Sequence, residues 1–162
     1  MALVTNFEQV REDGKITHPN MTASQIAALS GTIVKVVRAQ WVCDEKVVGI
    51  DNAKGLSAQA TASENHVAIL LAEDGSWTKT RLQLLRADGA LVSEVPDTIE
   101  INGTPRQGHW AWLKKPRLSG PDIIGAVFTS VVTYKDGYHD SSENDVDLDA
   151  ATGHILQVYK GR

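Results

Sequence analysis

This sequence predicts an all-β protein, mainly an antiparallel β-sandwich or barrel, with one short helix near residues 23–30. Three observations lead there. Asp13-Gly14, Asp74-Gly75, Asp88-Gly89, Asn102-Gly103 and Asp136-Gly137 are dipeptides that supply the positive-φ positions of tight hairpins, and Thr152-Gly153 sits similarly. Between them lie short segments rich in Val, Ile, Leu, Thr and Trp. A single stretch has the start and stop signals of a helix. Closely spaced strands with turn signals between them point to a sandwich or barrel. At 162 residues, with 42% hydrophobic and 22% charged side chains, the chain suits one domain, 1–162, with a core of its own.

Taken in order, residues 1–20 carry few apolar anchors and read as an N-terminal arm or edge strand. Thr22-Ala-Ser-Gln25 has capping-box spacing, with Ile26 and Leu29 on a small apolar face and Gly31 placed to end the helix. A helix this short is marginal alone and must dock on a sheet. Strands are expected near 32–42, 46–50, 66–73, 77–86, 90–94, 97–101, 107–114, 123–135, 144–149 and 154–160. In the 66–73/77–86 hairpin, Lys79, Arg81 and Gln83 share one face and Leu82 and Leu84 the other. A longer loop is expected between 98–101 and 109–113. In the last hairpin Val146 and Leu148 face the core, and Asp145, Asp147 and Asp149 face solvent. The stretch Asp145–Leu156 resembles hairpins of PepSY-type modules and propeller blades, which implies a turn and carries no function.

Net charge is −4. Residues 1–60 hold six basic and six acidic side chains and residues 61–120 seven of each, so the excess lies in 121–162, with three against seven. Asp140, Glu143, Asp145, Asp147 and Asp149 fall within ten residues. Nucleic acid is therefore not the expected partner, since binding it needs a basic domain or stripe. No apolar run is long enough for a transmembrane helix, so no membrane partner is expected. The start, MALVTNFEQVRED, lacks the regions of a signal peptide, and a lone cysteine, Cys43, fits a reducing compartment. The expected location is the cytoplasm or an assembled particle.

Chemical motifs are sparse, and no cofactor or metal is expected. Asp145, Asp147 and Asp149 have the opening spacing of a calcium loop, but Ala150 and Leu156 stand where the turn glycine and bidentate glutamate belong. His139-Asp140-Ser141-Ser142 places hydrolytic residue types together, yet such a site needs geometry, and no G-x-S-x-G elbow is present. The five histidines show no ligand spacing. Cys43 reads as a buried, inert thiol.

The most unusual segment is Gly108-His-Trp110-Ala-Trp112-Leu-Lys114-Lys115-Pro-Arg117. In a regular strand Trp110 and Trp112 share a face beside three cations, a composition suited to a protein interface. The expected interface residues are Trp110, Trp112, Lys114, Lys115, Arg117, Asp145, Asp147 and Asp149. The basic 114–117 segment of one copy is expected to meet the acidic 140–149 segment of another. Such a heterologous contact builds rings or filaments and weakens with salt. The functional expectation is a non-enzymatic structural or interaction protein, a homo-oligomer such as a subunit of a phage or virion particle. The alternatives are a small acidic protein that neutralises a basic partner, of the immunity or inhibitor type, and a hydrolase with a His/Asp/Ser site.

Overall fold

Val67-Ala-Ile-Leu-Leu71 contains no polar residue, the pattern of a strand buried on both faces. In the computed structural model, which describes residues 3–19, 21–29 and 34–161, this run is β6 (His66–Ala72). It belongs to a four-stranded sheet with β5 (Leu56–Ala60), β7 (Thr80–Arg86) and β8 (Leu91–Val95), in the order β5-β6-β7-β8. A second four-stranded sheet, β2-β1-β3-β4, contains β1 (Thr5–Arg11), β2 (Ile16–Thr17), β3 (Val36–Cys43) and β4 (Lys46–Asp51). A five-stranded sheet, β13-β12-β11-β10-β9, contains β9 (Thr98–Ile101), β10 (Thr104–Lys114), β11 (Ile123–Thr133), β12 (His139–Asp149) and β13 (Ile155–Val158). The pairings within all three sheets are antiparallel.

The two faces of β6 feed two cores. Ala68 and Leu70, with Leu82 and Leu84 of β7, pack against Trp110, Ile124, Phe128, Val146 and Leu148 of the five-stranded sheet. Val67 and Ile69, with Leu56, Ala58 and Leu85, pack against Val4, Ala39, Trp41 and Cys43 on the side of β3. The β5–β8 sheet is thus the central layer of a β/β/β stack. Each Leu, Ile or Val buried here contributes about 1.5–3 kcal/mol. The two large indoles anchor the layers. Trp41 donates to the Ala87 carbonyl at 2.6 Å, Trp110 donates to the Pro96 carbonyl at 3.1 Å, and Trp110 meets Phe128 edge-on at 4.9 Å. Cys43 is buried, and its pKa is raised by desolvation, with further contributions from Asp44 and Asp88, as suits an inert thiol.

Several sequence expectations change here. Part of the N-terminal segment is β1, an interior strand bonded to both β2 and β3, and the edge is the two-residue β2. β5 carries Ser, Ala and Gln among its five residues and has little apolar signal of its own. Helix α1 (Ala23–Ala27) has the capping box: Gln25 N donates to Thr22 Oγ1 and Thr22 N donates to Gln25 Oε1. It does not dock, for none of its residues is buried and Ile26 is 58% exposed. Gly31 lies outside the described residues. Asn102 (φ 53°) and Gly103 (φ 76°) form a two-residue turn, so β10 starts at Thr104 and no long loop intervenes. β7 starts at Thr80, not Trp77, because Asp74 organises the preceding loop by accepting from Ser76 and Thr78. The faces of β7 follow expectation, with Leu82 and Leu84 buried and Arg81 exposed.

Candidate interaction site

The segments singled out from the sequence converge on the outer face of the five-stranded sheet. Trp110 pairs with Phe128 and Trp112 with Val127, so Ala111 is an extra residue in β10, a β-bulge. The bulge breaks the two-residue alternation. Trp110 turns into the core at 1% exposure, while Trp112 turns outward at 40%. The expectation that both indoles share a face is corrected by this one inserted residue.

Beyond the bulge the outer face carries two cross-strand rows. Trp112, Val127 and Asp145 form one, and Lys114, Gly125 and Asp147 the other. Asp145 and Asp147 are not solvated as the alternation suggests: they are 2% and 1% exposed. The chain after β10 folds back over them. Lys114 Nζ donates to Asp145 Oδ2 at 2.6 Å, and Arg117 donates to the same oxygen through Nε at 3.1 Å and Nη2 at 2.6 Å. Asp147 accepts from the backbone N–H groups of Arg117 (3.2 Å) and Leu118 (2.8 Å) and from the Tyr159 hydroxyl (2.8 Å). Arg117 also lies over the Tyr159 ring, 4.4 Å from its centroid. The Tyr159 pKa is raised by burial and by its hydrogen bond to Asp147.

The charge complementarity between 114–117 and the acidic strand is therefore met inside one chain, so pairing these charges requires no second copy. Gly125 makes this possible, because a Cβ there would stand 2.7 Å from the Lys114 carbonyl oxygen and 2.9 Å from Pro116 Cα. A glycine in mid-strand was the sequence signal for this close backbone approach. Tyr159 offered none. Lys115 is exposed and takes no part in these bonds. Asp149 accepts from Ala151 N at 2.9 Å and shapes the β12–β13 turn. Among the described residues no three His, Cys, Asp or Glu side chains are placed to hold one metal ion.

At the opposite end of these strands the β11–β12 hairpin is exposed at its tip. Val131 (57%), Tyr134 (50%) and Tyr138 (62%) are open to solvent, and the two tyrosines stack with centroids 5.9 Å apart. Asp136, Asp140 and Ser141 on this hairpin are exposed as well. His139 Nδ1 lies 2.9 Å from Thr133 Oγ1, its cross-strand partner, so the ring is engaged within the hairpin and not with Ser141 or Ser142.

A second Ser/His/Asp group is assembled from distant segments. Ser63 Oγ (2.5 Å) and His66 Nδ1 (2.8 Å) both meet Asp122 Oδ1. Burial raises the Asp122 pKa, but the hydrogen bonds from Ser63 and His66 outweigh it and the net shift is downward. A relay needs the hydroxyl on the far nitrogen of the imidazole, whereas here both groups share one carboxylate oxygen. With Ser63 N donating to Pro121 O and Ala150 N to Asp122 O, this is a clip between the central and five-stranded sheets. A polar cleft of about 530 Å³ lies between Arg81 and Glu94 on one side and Asp97 and His109 on the other. Arg81 donates to Glu94 at 2.6 Å and lowers its pKa.

No protein-family model matches this chain, and no curated protein matches it. Among solved structures, it is similar to a chain in the structure of Tne2 in complex with Tni2, at 29% identity and a TM-score of 0.86, over 99% of this chain and 100% of that one.

Proposed function

We propose that the chain is a non-enzymatic protein-binding module that docks on a protein of different sequence, as a small acidic binder of the immunity or inhibitor type. The observation that carries this reading is its end-to-end likeness to a chain found in a complex of two differently named proteins. The geometry is consistent with it. Lys114 and Arg117 are paired with Asp145, and Asp147 accepts from backbone N–H groups and the Tyr159 hydroxyl, so these groups need no second copy to be matched. The acids left exposed include Asp136 and Asp140, on the hairpin that presents Tyr134 and Tyr138. Exposed tyrosines on a tip where Asp136 and Asp140 outnumber the one cation, Lys135, form a net acidic surface that steers towards a basic partner and then buries aromatic area.

The test is isolation of the chain from its own cells under native conditions, with measurement of mass and composition. A one-to-one complex with a different protein is expected, weakened at least about tenfold in affinity by Tyr134→Ala together with Tyr138→Ala, hot-spot residues by type and placement. Recovery as a multiple of itself, with no second protein, would overturn the reading.

A further inference from the structure

The five-stranded sheet narrows to two strands at one end. β10 pairs with β11 as far as Gly108 and Ser130 and then pairs with β9. On the other side, β13 and Tyr159 bond β12 only from Asn144 onward. Among the described residues, Val131–Thr133 and His139–Ser141 therefore pair only with each other. Tyr134 N donates to the Tyr138 carbonyl at 2.8 Å, and Gly137, at φ 85°, helps to close the turn. At a strand's rise per residue, this ribbon stands about 13 Å beyond Ser130. A cleft of about 430 Å³ separates its base from the β9–β10 hairpin. None of residues 131–141 belongs to either core.

Strand alternation splits the ribbon's side chains between two faces. Val131, Thr133, His139 and Ser141 share one, and Val132, Tyr134, Tyr138 and Asp140 the other. Both faces show apolar groups to solvent, Val131 on the first and the stacked Tyr134 and Tyr138 on the second. A two-stranded ribbon with neither face covered is marginal in water. A flat partner would cover one face and leave the apolar groups of the other wet, whereas a groove covers both. The acids Asp136 and Asp140 outnumber Lys135 here, so the complementary groove is cationic. A second copy is a poor host for an acidic ribbon, because the whole chain carries a net charge of −4.

We propose that the β11–β12 ribbon is a finger that enters a groove of a different protein. The groove has apolar walls against both faces of the ribbon and cationic side chains around Asp136 and Asp140. This rests on the reading of the chain as a binder of a second protein, and it adds the shape and charge of the surface that receives it. Insertion buries two adjacent, oppositely directed residues, Asp140 and Ser141, at once, and docking on one side buries only one of them.

The experiment measures the rate of maleimide modification of Ser141→Cys and Asp140→Cys in the free chain and in the complex isolated with its partner. Both positions are exposed, and the native Cys43 is buried and supplies the unreactive background. Both new thiols should react at least about tenfold more slowly in the complex. A companion variant replaces 133–139 with Asn-Gly, a turn that closes on the Val132/Asp140 pair. It should keep the urea midpoint, since it removes no core residue, and lose at least about a hundredfold in affinity for the partner. A complex in which Asp140→Cys is shielded and Ser141→Cys is not would overturn the finger and leave the protein-binding reading standing. So would a complex in which neither thiol is shielded, or one that binds the shortened variant as tightly as the full chain. Isolation with no second protein would overturn the finger and the reading together.

Discussion

A double-mutant cycle between Lys114 and Asp145 measures whether the basic segment is clamped to its own sheet. The contact is 2.6 Å, and the side chains are 27% and 3% exposed. At an effective dielectric near 20 the gross attraction at that distance is about 6 kcal/mol. Desolvation of the carboxylate offsets much of it, and the half-exposed Arg117, which shares the same oxygen, takes up part of the remainder. We therefore expect Lys114→Ala to cost about 2 kcal/mol, Asp145→Ala about 3 kcal/mol and the double variant little more than Asp145→Ala, a coupling of about 2 kcal/mol. A solvated pair gives about 0.2–1 kcal/mol. The assay is urea unfolding followed by tryptophan fluorescence, with Trp112 reporting on the same face. A coupling below about 0.5 kcal/mol would refute the clamp and return the segment to solvent.

The neighbouring lysines should behave oppositely under charge reversal. Lys114→Glu sets a second carboxylate against buried Asp145 and should lower the urea midpoint clearly, while exposed Lys115→Glu should change stability by no more than about 0.5 kcal/mol. Trp110→Ala empties a core site and should cost about 3–5 kcal/mol, against less than about 1.5 kcal/mol for Trp112→Ala, both read by the same unfolding assay. The Asp122 clip gives a pH dependence. Its folded pKa is depressed, so its stabilisation is complete above the ordinary carboxyl value and is lost as pH falls through the lower folded value. Asp122→Asn should remove that acid-limb component, seen as a flatter fall in midpoint below about pH 4.

Local chemistry made much of the fold legible. The Asn102-Gly103 turn, the Thr22/Gln25 capping box and the alternation of Leu82 and Leu84 with Arg81 and Gln83 are all short-range signals, and each governs its own few residues. What was illegible came from distant partners. The apolar run in β6 announces a strand buried on both faces, but not which sheets lie on either side. Asp145 and Asp147 read as a wet face because strand alternation alone cannot see a cover supplied by residues 114–118, some thirty positions upstream. One bulge at Ala111 reversed the placement of Trp112 while leaving its sequence spacing untouched.

The most direct test of the central claim, that Lys114 and Arg117 are paired with Asp145 within one chain and that the proposed partner is a different protein, is the native mass of the isolated chain at low and high salt. The account predicts a monomer of 17.5 kDa in both. A ring or filament that comes apart as salt rises would contradict it and place the 114–117 and 140–149 segments between copies.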